Sequence, residues 1–161
     1  MSYTPSSAAL DRIERTIALY PVAGAALLPV LHVIQEEAGF ISAEAAAWTA
    51  AKLGVDPVRV REVLSFYTMF RTAPAGTHVV RVCRNLSCYL AGADDLLAFI
   101  GEKLGVAPGG TTPDGRFTLV TAECLGNCDH APCLQIDGVD RGPVSRESVA
   151  ALIEELEAHD R

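Results

Sequence analysis

Thr77-His-Val-Val-Arg-Val-Cys83-Arg-Asn-Leu-Ser-Cys88 opens the second half of a 161-residue chain. Thr77 to Val82 is rich in β-branched residues and predicts a strand, because such side chains pack well on a pleated surface. That strand runs straight into Cys83. Beyond Cys88 the pattern changes to helical spacing, with Leu96, Leu97, Ile100 and Leu104 on one face. Asp94 and Asp95 fall in the first turn, where negative charge suits the helix dipole, and Gly105 fits the C-terminal cap. Pro108-Gly-Gly-Thr-Thr-Pro-Asp-Gly115 reads as a turn-rich loop, and Phe117 to Val120 as a second extended segment. Leu134 to Ile136 offers a third strand, turned by Asp137-Gly138. Ser145 can cap a closing helix whose core face is Val149, Leu152, Ile153 and Leu156, with Glu154, Glu155 and Glu157 in solvent. The order β-α-β-β-α predicts an α/β sandwich over 77–161.

The first seventy residues follow another rule. Leu10, Ile13 and Ile17 recur at helical spacing, and Leu27, Val30, Leu31 and Ile34 repeat the pattern until Gly39. Ser42 is an N-cap for an Ala-rich helix carrying Trp48, and Asp56-Pro57 is a helix start followed by Val60, Val63, Leu64 and Tyr67 on one face. A small N-terminal helical bundle over 1–73 is expected, separated from the α/β domain by Thr72-Ala-Pro-Ala-Gly76.

Half the residues are apolar, enough to bury a core, while a formal net charge of -7 with no run of Lys or Arg argues against nucleic acid or an anionic membrane as partner. No apolar stretch approaches the roughly 20 residues that span a bilayer, and the N-terminus lacks a basic start followed by an apolar core. A soluble, cytoplasmic protein without direct membrane insertion is expected.

All five cysteines lie between Cys83 and Cys133. The cytosol keeps thiols reduced, so clustered cysteines there point to metal or redox chemistry. Cys83 with Cys88, and Cys124 with Cys128, form two close pairs, each where a predicted strand gives way to a loop. Loops at one end of a sheet can bring four thiolates to one site, and thiolate suits both Zn and iron-sulfur clusters. Gly126 allows the unusual backbone angles that a wrap around a cluster needs. Spacing alone leaves a cluster, a structural zinc module and pairing of Cys128 with Cys133 all open. Cys133, behind Ala131-Pro132 at the head of an apolar strand, reads more simply as a buried thiol.

Glu62-Val-Leu-Ser-Phe-Tyr-Thr-Met-Phe70, Gln35-Glu-Glu-Ala-Gly-Phe40, the Cys83 and Cys88 pair, Thr112-Pro-Asp-Gly-Arg-Phe117 and above all Cys124-Leu-Gly-Asn-Cys-Asp-His-Ala-Pro132 resemble the E subunit of respiratory NADH:quinone oxidoreductase (complex I). The similarity runs from about Ile17 to Leu156. It implies a thioredoxin-like 2Fe-2S ferredoxin domain behind the helical bundle, with one 2Fe-2S cluster on Cys83, Cys88, Cys124 and Cys128. It also implies an electron-transfer role within an NADH dehydrogenase, exchanging single electrons with FMN on a partner. That partner is the F subunit, which binds FMN and NADH, with the large iron-sulfur G subunit as second neighbour, in a peripheral arm at the cytoplasmic face of the inner membrane. Small 2Fe-2S subunits of NAD-linked hydrogenases or formate dehydrogenases use the same module and are the alternative.

Other readings find less support. A nicotinamide enzyme needs Gly-x-Gly-x-x-Gly between a strand and a helix, and neither Gly101 with Gly105 nor Gly109 with Gly110 fits. Thiol-disulfide exchange wants Cys-x-x-Cys at a helix N-terminus, which this sequence lacks. Among His32, His78, His130 and His159, His130 alone is near a ligand cysteine and reads as a polar loop residue. No catalytic residue is expected on this chain.

Overall fold

Ser6, Ser42 and Asp56 begin three helices by turning their side-chain oxygens onto orphan backbone N–H groups. Ser6 Oγ accepts from Ala9 N at 3.2 Å, Ser42 Oγ from Ala45 N at 3.1 Å and Asp56 Oδ1 from Val58 N at 2.8 Å. In this computed structural model, which describes residues 3–159, those helices are α1 (Ser7–Ile17), α3 (Ala43–Leu53) and α4 (Pro57–Phe66). A 3-10 turn at Ala23–Ala26 leads into α2 (Leu27–Ala38), which ends at Gly39. Ile13, Val30, Leu31, Ile34, Ile41 and Val60 are buried at the centre of this helical unit, as the apolar spacing predicts. The segment after α4 is tied back on α2. Gln35 Nε2 donates to the Met69 carbonyl at 2.9 Å, and Gln35 Oε1 accepts from Arg71 N at 2.6 Å. Surface pairs such as Arg12 with Glu36 and Lys52 with Glu14 add little by comparison.

The chain divides into two compact units between Pro74 and Ala75. The second is built on β1 (His78–Cys83), followed by α5 (Leu86–Leu90), α6 (Ala93–Leu104), β2 (Phe117–Ala122), β3 (Leu134–Ile136), β4 (Val139–Arg141) and α7 (Arg146–His159). The sheet order is β2-β1-β3-β4, with β1 and β2 parallel and the other pairs antiparallel. Val80, Val82, Phe117, Leu119, Leu134 and Ile136 supply the sheet's part of the core, and Leu96, Ile100, Val149 and Ile153 supply that of α6 and α7. The two helices are linked by Lys103 Nζ to Glu154 Oε1 at 2.8 Å and by Arg146 over the Phe99 ring. On the alternate residues of the strands, Arg81 donates to Gln135 at 3.1 Å and Gln135 to Asp140 at 3.0 Å, a polar ladder across three strands.

Two elements depart from the sequence reading. The segment after Cys83 is a short helix, α5, too brief to show a period. A fourth strand, β4, follows the Asp137-Gly138 turn; its three residues are all exposed, so no apolar alternation marked it. The signal that could have found β4 was the Asp-Gly pair itself. Both residues have positive φ, 51° and 84°, the backbone of a tight hairpin turn, and such a turn returns the chain as a paired strand. Asp137 is also anchored, its carboxylate accepting from Val79 N at 2.7 Å and lying 2.6 Å from His78 Nδ1.

Ile34 is fully buried and Leu19 is 82% exposed. Ile34→Ala should therefore lower unfolding free energy by about 2–5 kcal/mol, and Leu19→Ala should change it by less than about 0.5 kcal/mol. Urea unfolding of both variants checks this, and equal losses would contradict the core assignment.

Candidate metal centre

Parallel pairing puts Cys83, the last residue of β1, beside Ala122, the last of β2. The chain leaves both strands at the same end of the sheet, so the loops that carry Cys88 and Cys124 start as neighbours. Arg84 N donates to the Ala122 carbonyl at 2.9 Å, extending the contact past the strand ends. On the other side of β1, Cys83 N donates to the Cys133 carbonyl at 3.2 Å, which continues the β1–β3 ladder and brings Cys133 level with Cys83. Side-chain alternation turns Cys83 away from the face of Val82. Cys83, Cys88, Ala93 and Cys133 accordingly form a small buried cluster separate from the main core, with Leu125 and Ala131 packed against it.

The sulfurs of Cys83, Cys88 and Cys133 lie within 4.8 Å of one another, and Cys88 Sγ is 3.6 Å from Cys133 Sγ. Two thiolates on one tetrahedral ion stand about 3.8 Å apart, given metal–sulfur bonds of about 2.3 Å. Among the described residues this is the one group of metal-ligating side chains so converged. Cys124 and Cys128 are exposed, Cys128 opening a 3-10 turn over Cys128–His130. Of the four ligands expected from the resemblance, the structure thus brings Cys83 and Cys88 together in a buried site and leaves Cys124 and Cys128 exposed and outside that group. Sequence spacing left the role of Cys133 undecided; its buried place is as expected, but its closeness to Cys88 became visible only when β3 was paired with β1.

Backbone N–H groups are aimed at these sulfurs. Gly126 N donates to Cys124 Sγ at 3.3 Å, with Gly126 at φ 74°, a left-handed angle that favours glycine. Burial opposes ionisation of Cys83, but the Asn85 and Leu125 N–H groups and the neighbouring thiols outweigh it, holding its thiol below the ordinary cysteine range. The Leu125 contact matters geometrically, since it seats the second cysteine loop against the first pair. Burial pushes the Cys88 thiol up, with Cys83 adding to the effect and the Cys133 N–H partly offsetting it. Burial likewise pushes Cys133 up to about 12, and the sulfurs of Cys88 and Cys83 add to this. Such a site favours one thiolate over a second, and a cationic iron centre held by these thiols would supply the charge that stabilises further thiolates. Buried thiols at metal-ligand spacing, a second cysteine pair on the adjoining loop and N–H donors toward sulfur fit a thiolate-held cluster.

Around the centre, Asn85 caps α5, Arg84 is exposed with Glu123 at 3.9 Å, and His130 Nδ1 lies 3.0 Å from Asn127 Oδ1. His130 is therefore a loop-bracing residue, as its sequence context suggests.

The thioredoxin-like 2Fe-2S ferredoxin family matches residues 13–157. The second E-type subunit of the NADH-quinone oxidoreductase of Rhizobium meliloti (strain 1021) is 39% identical over 94% of this chain and 90% of its own length. NADH-quinone oxidoreductase subunit 2 of Thermus thermophilus is 40% identical over 94% of this chain and 85% of its own length. Among solved structures, an NAD+-reducing NiFe hydrogenase in the air-oxidized state matches 83% of this chain at 25% identity with a TM-score of 0.72; this chain spans 23% of that polypeptide.

Gly142 backs the centre closely. A Cβ there would run into the His130 carbonyl and lie 2.9 Å from Cys133 Cβ. Gly142→Ala should cost about 1–3 kcal/mol of stability, read by urea unfolding. Wild-type stability would show that this backbone approach is slack.

Proposed function

The chain belongs to the thioredoxin-like 2Fe-2S ferredoxin family, and on that premise we propose that it is the electron-transfer subunit of an NADH:quinone oxidoreductase, carrying one 2Fe-2S cluster on Cys83, Cys88, Cys124 and Cys128. The buried Cys83 and Cys88 sulfurs, converged within 4.8 Å in a group able to hold a metal, are the observation that carries this reading. Domain 77–161 holds the cluster and domain 1–73 is the accessory helical bundle.

When bound, the cluster supplies one-electron exchange. The chain's own residues do the rest. Cys83 and Cys88 anchor the dry end, and the N–H groups of Asn85, Leu125 and Gly126 offset negative charge on sulfur and so favour the reduced state. Cys124 and Cys128 give the centre a solvent-facing side across which an electron can pass to a partner. No acid, base or nucleophile is required, because no bond to a substrate is made.

The nicotinamide and flavin chemistry belongs in this reading to the F subunit, with the G subunit as second neighbour, in the peripheral arm at the cytoplasmic face of the membrane. Among the described residues, no helix is long and apolar enough to cross a bilayer. Exposed apolar residues on α5 favour a docking face at the centre itself. Leu86, Tyr89 and Leu90 are 68%, 56% and 76% exposed on the same five-residue helix that buries Cys88. The helical bundle also exposes Leu19, Val22 and Phe66, but α5 itself carries a proposed cluster ligand, Cys88.

Single Cys→Ser changes at 83, 88, 124 and 128 should each abolish stable binding of two irons and the EPR signal after dithionite. Retention of both irons in the Cys124 or Cys128 variant would sink the ligand assignment, and a zinc-containing chain silent on reduction would sink the cluster. Leu90→Glu should leave iron content unchanged while weakening copurification of the flavin-bearing subunit at least tenfold; undiminished recovery of that subunit would remove α5 from the interface.

A further inference from the structure

Cys133 is used by nothing described so far, yet it is 1% exposed and its sulfur sits 3.6 Å from that of Cys88. Three features hold it there. Its carbonyl accepts from Cys83 N at 3.2 Å, its own N–H is turned toward the Cys88 sulfur, and Gly142 closes in behind its Cβ. The side chain therefore has little freedom to swing elsewhere. It belongs to the small buried cluster of Cys83, Cys88 and Ala93, against which Leu125 and Ala131 pack. An S–H group 3.6 Å from a ligand sulfur is placed as a hydrogen-bond donor to it.

Resting on the ligand reading above, we propose that Cys133 is not a cluster ligand but a positioning residue, donating an S–H···S hydrogen bond to ligand Cys88 and thereby raising the reduction potential of the centre. The physical reason is charge. Reduction adds one negative charge that spreads onto the ligand sulfurs, and a donor aimed at one of them stabilises the reduced form more than the oxidised form. The Cys133 N–H reaches the same sulfur, so Cys88 receives two donors from one residue, and removal of the side chain subtracts only one of them.

The test compares the full chain as wild type, Cys133→Val and Cys133→Ser. Each is reconstituted anaerobically with iron and sulfide, assayed for both, and titrated by EPR against redox mediators. All three should hold two irons. At the wild-type midpoint, the ratio of reduced to oxidised centre in Cys133→Val should fall about tenfold, which for one electron is about 59 mV. Cys133→Ser, whose hydroxyl also donates, should stay within about threefold of wild type. An unchanged potential in Cys133→Val with full iron overturns the inference, as does an equal fall in both variants, which would mark a packing effect. Iron loss in both variants makes Cys133 a ligand and overturns it too. If valine alone prevents folding, Cys133→Ala is read by the same criteria. A wild-type chain that takes up no iron overturns the function proposed above and this inference together, whereas a normal cluster with an unmoved potential overturns this inference alone.

Discussion

The parallel ladder between β1 and β2 is the constraint from which the centre follows. Six consecutive residue pairs, from His78 with Phe117 to Cys83 with Ala122, hold the two strands in register. A slip of one residue would turn Cys83 toward the face of Val80 and Val82, and it would move the Cys124 loop away from the first cysteine pair. Because parallel strands need a crossover, the chain between them has room for α5 and α6, and α5 is what returns Cys88 to the end of the strand it left. The ordering of the sheet also matters. β3 lies on the opposite edge of β1 from β2, so the central strand receives Cys133 from one side and the Cys124 loop from the other.

Burial and charge pull in opposite directions at this centre. Cys83, Cys88 and Cys133 are taken out of water, which disfavours thiolate, while N–H groups from three loops are turned toward the sulfurs, which favours it. The balance leaves one easily ionised thiol and two reluctant ones. A cationic iron core held there would resolve the conflict, and in the proposed ligand set the contrast between the buried Cys83 and Cys88 and the exposed Cys124 and Cys128 would give the electron a direction of entry. The exposed apolar side chains of α5 lie on the helix that carries the buried Cys88, so in the proposed function docking and ligation share a short piece of backbone.

Local signals in the chain carried much of this. Side-chain caps at Ser42 and Asp56, the terminators Gly39 and Gly105, and the apolar spacing of α6 and α7 act within a few residues of themselves, which is why they can be read without a fold. The two cysteine pairs and Gly126 are local in the same sense, and the resemblance in Cys124-Leu-Gly-Asn-Cys-Asp-His-Ala-Pro132 led to the family that nearly the whole chain matches. β4 and α5 escaped because neither has an apolar period. β4 exists through its partner strand and the Asp137-Gly138 turn, and α5 is only five residues long.

Residue type and spacing thus marked the five cysteines as the residues with metal-binding chemistry, since that chemistry is a property of the side chain, and left open which of them converge. Which thiols are buried, which N–H groups face them and what Cys133 touches were settled by the pairing of β1 with strands that follow it far along the chain. Those contacts join residues as far apart as Cys88 and Cys133, and no local rule reaches across such a separation; the sheet register alone sets whether they meet.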